Sequence, residues 1–477
     1  MLFSSITFIY YFLPITLILY FCVPVGHGSN SLRGKNSLLL LASFLFYACG
    51  ESIYVLLMLV SVIVGYLGGR LLEKFPHKLL LGCFIGIQLS LLGIFKYTDF
   101  FIDIWNQVTS MKVSFLYLTL PIGISFYSFQ IISYLVDVYR LDMKVEKSFI
   151  NFASYITMFP QLIAGPIVRY EVVQKQMIKR EISLANVSEG ATRFLVGLGK
   201  KVLIADNLAE LLLRIESLSD KSIWTYWLMA TMYTLQVYHD FSGYSDMAIG
   251  LGKMLGFSFP ENFKYPLISR SVSEFWRRWH ISLGTFLKDY IYIPLKGSKC
   301  GRMRWCVNIG IVWFLSGLWH GASWNFVLWG LYFGVFIICE KIIGQQLNKR
   351  RWTGKFKLIL HGIQHIYLCA AIIISFVLFR FVEISKAKAF IVEMFRVSNY
   401  KISWIEWYEY KNVALLVLIG MIGATPFVAN AIRYLCEKIE NETLIGIMEI
   451  GFQILMLIIV TAYLIQSSVH PFLYFRF

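Results

Sequence analysis

VWFLSGLWHGASWNFVLWG, residues 312–330, is apolar and dense in tryptophan, and it holds one ionisable side chain, His320. Apolar residues run up to the histidine and resume just beyond it. An ionisable group inside an apolar run of membrane length is expensive and usually functional, facing a cavity or a partner rather than lipid. Gly317 and Gly321 flank it and leave room for another backbone or a substrate. The competing reading is a buried histidine satisfied by a neighbouring carbonyl. Basic loops bracket the stretch at 296–304 and 341–357, and both are expected in the cytoplasm. Between them the chain must double back, with the turn near His320 to Asn325. Each arm is then about 16 residues, roughly 24 Å at helical rise, short of the ~30 Å hydrocarbon core. His320 is therefore expected inside the membrane, open to a cavity from the outer side.

The rest of the chain places this hairpin in a polytopic membrane protein. It is 57% hydrophobic and 15% charged. Runs at 6–25, 79–95, 358–381, 413–432 and 444–465 approach or reach the ~18–20 apolar residues that cross a bilayer. Such segments must satisfy their own backbone, so the expected class is an all-α helical bundle. No alternating ten-residue pattern marks a barrel. The aromatic share of 17% suits interfacial belts and a lined interior. A net charge of +16 would hint at nucleic acid in a soluble protein. Here the cations sit in short loops between apolar runs, facing anionic lipid or an anionic substrate. Eight scattered cysteines without a CxxC give neither a disulfide framework nor a zinc site. The N-terminus lacks a basic region and a cleavage site, and reads as a first transmembrane helix.

Taken in order, the segment 100–108 reads as interfacial. LPIGISFYSFQ (120–130) and FPQLIAGPIVRY (159–170) are broken by proline and glycine. Breaks at membrane depth need protein or a wet cavity to receive the freed backbone groups, and simple kinks are the alternative. In HDFSGYSDMAIG (239–250), Gly243 argues against one continuous helix, and Asp240 and Asp246 are expected to cap or to pair with basic residues. Residues 264–304 are the densest basic stretch. Glu274 precedes Arg278 by four residues, the favourable order for a helical ion pair. Arg277, Arg278 and Lys288 exceed what Glu274 and Asp289 neutralise. The surplus suits lipid headgroups or the phosphates of an anionic cofactor.

Four stretches carry a family resemblance: FPQLIAGPIVRY at 159–170, DFSGYSDMAIGLGKMLGF at 240–257, EFWRRWHISLGTFLKDYIYIPLKG at 274–297 and SGLWHGASWNFVLWG at 316–330. Through them the chain resembles the membrane-bound O-acyltransferase (MBOAT) family, in the bacterial branch typified by the alginate O-acetylation membrane protein. His239 departs from the aromatic residue expected in its place. The resemblance implies a single polytopic domain over 1–477, with broken and re-entrant helices around a central cavity. It implies an O-acetyltransferase that moves acetyl from cytoplasmic acetyl-CoA, without a metal, for O-acetylation of an extracellular polysaccharide or peptidoglycan. It makes His320 the catalytic residue and His280 a second site histidine, which either positions the thioester or holds its loop. Arg277, Arg278 and Lys288 would then meet the phosphates of the donor. Trp319, Trp324, Ser323 and Asn325 are candidate oxyanion donors. The implied partner is a separate extracytoplasmic SGNH-type acetyltransferase.

The tail, 466–477, is short, aromatic and expected outside. It ends F-x-Y-x-x-F, which resembles the C-terminus of small partners in the D-alanylation members of the family. Tyr474 would then carry the acyl group, against the alternative of an aromatic anchor at the interface. Two other functions stay open: a D-alanyl transferase of the same family, and a transporter, which broken helices and a midplane ionisable group also fit. Against the transporter, no inverted repeat and no chain of intramembrane acids is visible.

Overall fold

The computed structural model describes residues 1–26, 31–347 and 354–466. Among them every regular element is helical. The helices form two compact units, residues 1–196 with 244–261, and residues 197–243 with 262–466.

The first unit contains α1 (Leu13–Cys22), α2 (Arg33–Ala48), α3 (Tyr54–Lys74), α4 (Lys78–Thr109), α5 (Ile124–Tyr139), α6 (Phe149–Thr157), α7 (Phe159–Leu162), α8 (Tyr170–Ile178) and most of α9 (Leu184–Gly199). α3 meets α5 closely because Gly65, Gly68 and Gly69 present no side chain there; a Cβ at Gly69 would run into the Tyr134 ring. Of the two runs expected to be broken, the first does not interrupt a helix but starts one, with Gly123 (φ 80°) at the N-cap of α5, and the second is interrupted after α7, where Gly165 has φ 108°. Segment 100–108 is not a separate interfacial piece. It continues α4, whose 32 residues contain no proline.

In the chain order that follows come α10 (Asn207–Glu216), α11 (Ile223–Met254), α12 (Val272–Arg278), α13 (Ile281–Leu287), α14 (Arg302–His320), α15 (Trp324–Leu347), α16 (Gly354–Arg380), α17 (Ile384–Met394), α18 (Trp404–Gly423), α19 (Phe427–Lys438) and α20 (Glu442–Gln466). Gly243 does not interrupt α11, which is continuous for 32 residues. The glycine serves packing instead, since a Cβ there would meet the carbonyl of Gly197 and the backbone of Lys201. The expected single span at 413–432 is bent by 65° between α18 and α19. Pro426 has no N–H to continue the helix and stands at the bend.

The hairpin of α14 and α15 turns at residues 321–323, where expected. Its arms are longer than the spacing of the basic loops implied, 19 and 24 residues, because the helices run on through the charged flanks. At helical rise α14 is about 28 Å long, close to a full hydrocarbon core. Gly317 and Gly330 face each other across the hairpin, and a Cβ on either would strike the opposite backbone, at Phe326 or Trp313. The space beside Gly317 and Gly321 is thus taken by Phe326 of the second arm, not left for a ligand. By length and composition α3, α4, α20 and segments 324–344 and 357–380 are membrane spans, with the bent α18–α19 pair as a sixth.

Candidate functional site

His320 is the last residue of α14, and Gly321 leaves the helix in extended conformation. The imidazole is buried, 2% exposed. Its ring lies 5.0 Å from Trp319, 4.8 Å from Trp329 and 5.5 Å from Phe379. Helices α14, α15 and α16 each give one wall, so the histidine is desolvated by indole and phenyl faces.

The four candidate oxyanion donors separate. The Ser323 hydroxyl donates to Asn325 Oδ1. The Asn325 amide donates to the carbonyl of Leu378 at 3.3 Å. Trp324 is nearly half exposed, whereas Trp319 is buried beside His320. A further indole belongs with them. Trp329 is buried, and its Nε1–H has no hydrogen-bond partner among the described residues. A buried donor left unmade costs ~1–3 kcal/mol, so the Trp329 N–H joins the candidate oxyanion donors; the Trp276 Nε1–H is likewise unmade among the described residues. Trp329 lay in the opening stretch, but spacing alone did not separate it from the other tryptophans.

His280 occupies the break between α12 and α13 with a left-handed backbone, φ 44° and ψ 52°. It lies outside the candidate spans, and burial pushes its imidazole down to about 3. Its ring is 4.8 Å from Phe241 and 5.8 Å from Trp319. His280 and His320, 40 positions apart in sequence, thus meet at one indole. Asn262, which sequence reading passed over, places Oδ1 3.2 Å from His280 Nδ1.

The three cations do not act as a set. Arg277 and Lys288 line one cavity of about 460 Å³ with Trp276, Thr285, Tyr292 and Ser316. Lys288 enters it from a π-helical turn, Lys288–Tyr292, that follows α13. Arg278 turns elsewhere. Its guanidinium is 3.0 Å from Glu274, the expected i,i+4 pair, and also donates to the carbonyl of Lys264. From the cavity, Trp276 stacks edge-on at 5.6 Å from Trp329, which in turn touches His320. Ser316 lines the same cavity one helical turn before His320. The cations, the Trp276 and Trp329 indoles and His320 therefore form a contiguous row. Glu340 anchors α12 at its start, accepting from the backbone N–H of Val272 and Ser273 and from the Ser273 hydroxyl.

Both acids of the 239–250 stretch pair with basic residues, as expected. Asp240 lies 2.8 Å from Lys201, which also holds Asp206 at 2.7 Å. Asp246 lies 2.6 Å from Arg193, which bridges to Glu261 at 2.7 Å. His239 Nε2 meets the carbonyl of Gly420 at 2.8 Å, away from the histidine pair. Among the described residues no three His, Cys, Asp or Glu side chains converge as metal ligands. Tyr474 lies outside the described residues.

Residues 98–381 match the model of the membrane-bound O-acyltransferase family. The chain is similar to the probable alginate O-acetylase AlgI of Pseudomonas putida, at 37% identity over the whole of both chains. It is similar to the peptidoglycan O-acetyltransferase of Helicobacter pylori, at 34% identity over 74% of this chain and 73% of the relative. A teichoic acid D-alanyltransferase of Bacillus subtilis matches at 26% identity over 54% of this chain and 67% of its own.

Proposed function

This chain belongs to the membrane-bound O-acyltransferase family, a multi-pass bacterial membrane O-acyltransferase, and from that premise we propose how it works and on what. We propose that it takes acetyl from cytoplasmic acetyl-CoA and delivers it across the membrane for O-acetylation of an extracellular polysaccharide or peptidoglycan. The convergence of His280 and His320 on Trp319, beside a cavity that Arg277 and Lys288 line, carries this reading. The alginate and peptidoglycan acetylating relatives favour acetyl over D-alanyl, being the more similar and covering more of the chain.

In this reading Arg277 and Lys288 hold the donor phosphates, and the thioester reaches the indoles beyond Trp276. A free alcohol is a poor nucleophile and needs a base. His320, in its aromatic box, takes the hydroxyl proton as the oxygen attacks the acetyl carbonyl. The tetrahedral oxyanion receives the Trp329 N–H. Collapse breaks the carbon–sulfur bond, and the departing CoA thiolate takes the proton back from His320. An SGNH-type acetyltransferase outside the membrane would complete transfer to the polymer. Tyr474 is a proposed carrier between the two: a phenol, pKa ~10, leaves more readily than an alkoxide, so its acetate is an active ester.

The test is acetyl transfer in proteoliposomes with labelled acetyl-CoA. The wild type should move label to an added acceptor and His320→Ala should not. Equal transfer by both would overturn the assignment.

A further inference from the structure

We infer that Asn262 is a positioning residue that fixes His280 as a hydrogen-bond acceptor at Nε2, turned toward a donor group on the reacting substrate. The inference deepens the acyl-transfer reading above and rests on it.

The geometry around one amide leads there. The backbone N–H of Ser282 lies 3.3 Å from Asn262 Oδ1, and the Ser282 hydroxyl donates to it at 2.9 Å. A backbone N–H only donates, so the amide atom that faces it is oxygen and not nitrogen. That same oxygen lies 3.2 Å from His280 Nδ1. An amide oxygen only accepts, so Nδ1 carries the ring proton. In a neutral imidazole the other nitrogen then holds a bare lone pair. Nε2 is buried, and it has no hydrogen-bond partner among the described residues.

Two features of His280 are unfavourable for a residue that merely packs. Its backbone is left-handed, at φ 44°. Its buried acceptor is unmet, in a residue only 1% exposed. Strained backbones and orphaned polar atoms concentrate where a site is held ready for a ligand. The ring also touches Trp319, the indole shared with His320, which puts His280 beside the proposed reaction site. The group it accepts from is an N–H or O–H of the substrate, either a pantetheine amide or the acceptor hydroxyl.

The test uses the full chain in proteoliposomes. Asn262→Leu keeps the volume and removes the acceptor. It should lose on the order of 10²-fold in transfer, the scale of a misplaced reacting group, while the Ser282 donors it strands lower the melting temperature modestly. Asn262→Asp keeps an oxygen and should retain most of the turnover. In a His280→Ala background, Asn262→Leu should cost nothing more. A raised KM for acetyl-CoA identifies the pantetheine amide as the donor; a lowered kcat at constant KM identifies the hydroxyl. If Asn262 only braces the start of α13 through Ser282, the loss in the Leu variant adds to that of His280→Ala and the His280 tautomer stays as in the wild type, which overturns the inference. Nitrogen NMR of histidine-labelled protein reads the tautomer without turnover. A protonated Nδ1 and bare Nε2 at His280, lost in Asn262→Leu, support the inference even if the transfer assay fails and the acetyl-CoA reading falls. The opposite tautomer refutes it whatever the assay shows.

Discussion

His280 and His320 share one neighbour, the Trp319 indole, at ring distances of 5.8 and 5.0 Å. One histidine ends a long helix and the other sits in a strained break between two short ones. Their separation in the chain means that only the folded unit brings them together. In the proposed mechanism the pairing divides the work: His320 has the indole donors about it, and His280 has its tautomer set by an amide.

His320→Ala should lower acetyl transfer by roughly 10²–10⁴-fold, the usual contribution of a positioned base. The ring is packed by aromatic faces, so some melting temperature is lost too. Trp329→Phe separates the two effects, because it keeps the packing and removes only the N–H. Losing an oxyanion donor costs on the order of 10²–10³ in kcat. If Trp329→Phe turns over normally, the orphan indole is not the oxyanion donor.

The cation site makes a sharper distinction than the sequence allowed. Arg277→Ala and Lys288→Ala should each raise KM for acetyl-CoA by roughly ten- to a hundredfold, the range of a lost charge-assisted hydrogen bond. Arg278→Ala should leave KM unchanged, since Glu274 already holds that guanidinium at the half-exposed surface. Its cost should stay within ~0.5 kcal/mol of stability. Titration of acetyl-CoA against the three variants distinguishes them. Equal effects from all three would mean a diffuse surface field and not a cavity.

What was legible in the sequence was whatever a linear pattern encodes. The apolar runs gave the helical class, the basic loops gave the α14–α15 hairpin, and an i,i+4 spacing gave the Glu274–Arg278 pair. Relations made by tertiary approach were not legible. Asn262 precedes His280 by 18 residues with no periodicity to link them, and only the fold aims its oxygen at the ring. Gly243 looked like a breaker because it stands among polar residues, yet its role is to admit the Gly197 backbone against α11. The division of Arg277 from Arg278 depends on which face of a seven-residue helix each occupies, and adjacent positions point about 100° apart. The π-helical turns that carry Lys201 and Lys288 have no composition that announces them.

Lys201 holds two acids at once, Asp206 and Asp240, with its own side chain 5% exposed and that of Asp240 2%. Removing one member of a buried charge set strands the others. Lys201→Met should therefore destabilise the protein by ~3–5 kcal/mol, or prevent its accumulation. Neutralising the acids as well, with Asp206→Asn and Asp240→Asn, should recover part of that loss. Thermal melting in detergent decides it. A Lys201→Met protein that melts like the wild type would show that the trio does not hold α11 to the π-helical turn.

Tyr474→Phe keeps the ring and removes the phenol oxygen. If the tyrosine carries acetyl to an extracytoplasmic enzyme, the variant accumulates normally and polymer acetylation is lost. Mass spectrometry of the wild-type C-terminal peptide should find an added acetyl that hydroxylamine removes. Wild-type acetylation by the variant leaves Tyr474 as an aromatic anchor.

The hairpin offers a test of how finely His320 must be placed. Gly330 lies where a Cβ would strike the carbonyl of Trp313 and come within 3.0 Å of the Gly317 backbone. Neither obstacle is the end of a flexible side chain, so the two helices must separate to admit even a methyl group. Gly310 is on the facing helix α14, and a Cβ there meets nothing within 4 Å. Alanine is the better helix former by ~0.5–1 kcal/mol, so Gly310→Ala should hold or raise the melting temperature and leave transfer intact. Gly330→Ala gains the same propensity and loses the close approach. The shift it forces moves Trp313, Trp329 and His320 relative to one another, and a displacement of about 1 Å at a reacting group costs on the order of 10²-fold. The expected signature is thus a large loss of turnover with only a modest fall in stability. Full activity in Gly330→Ala would mean that α14 and α15 separate without disturbing the site, and that His320 takes its position from Phe379 and α16 instead.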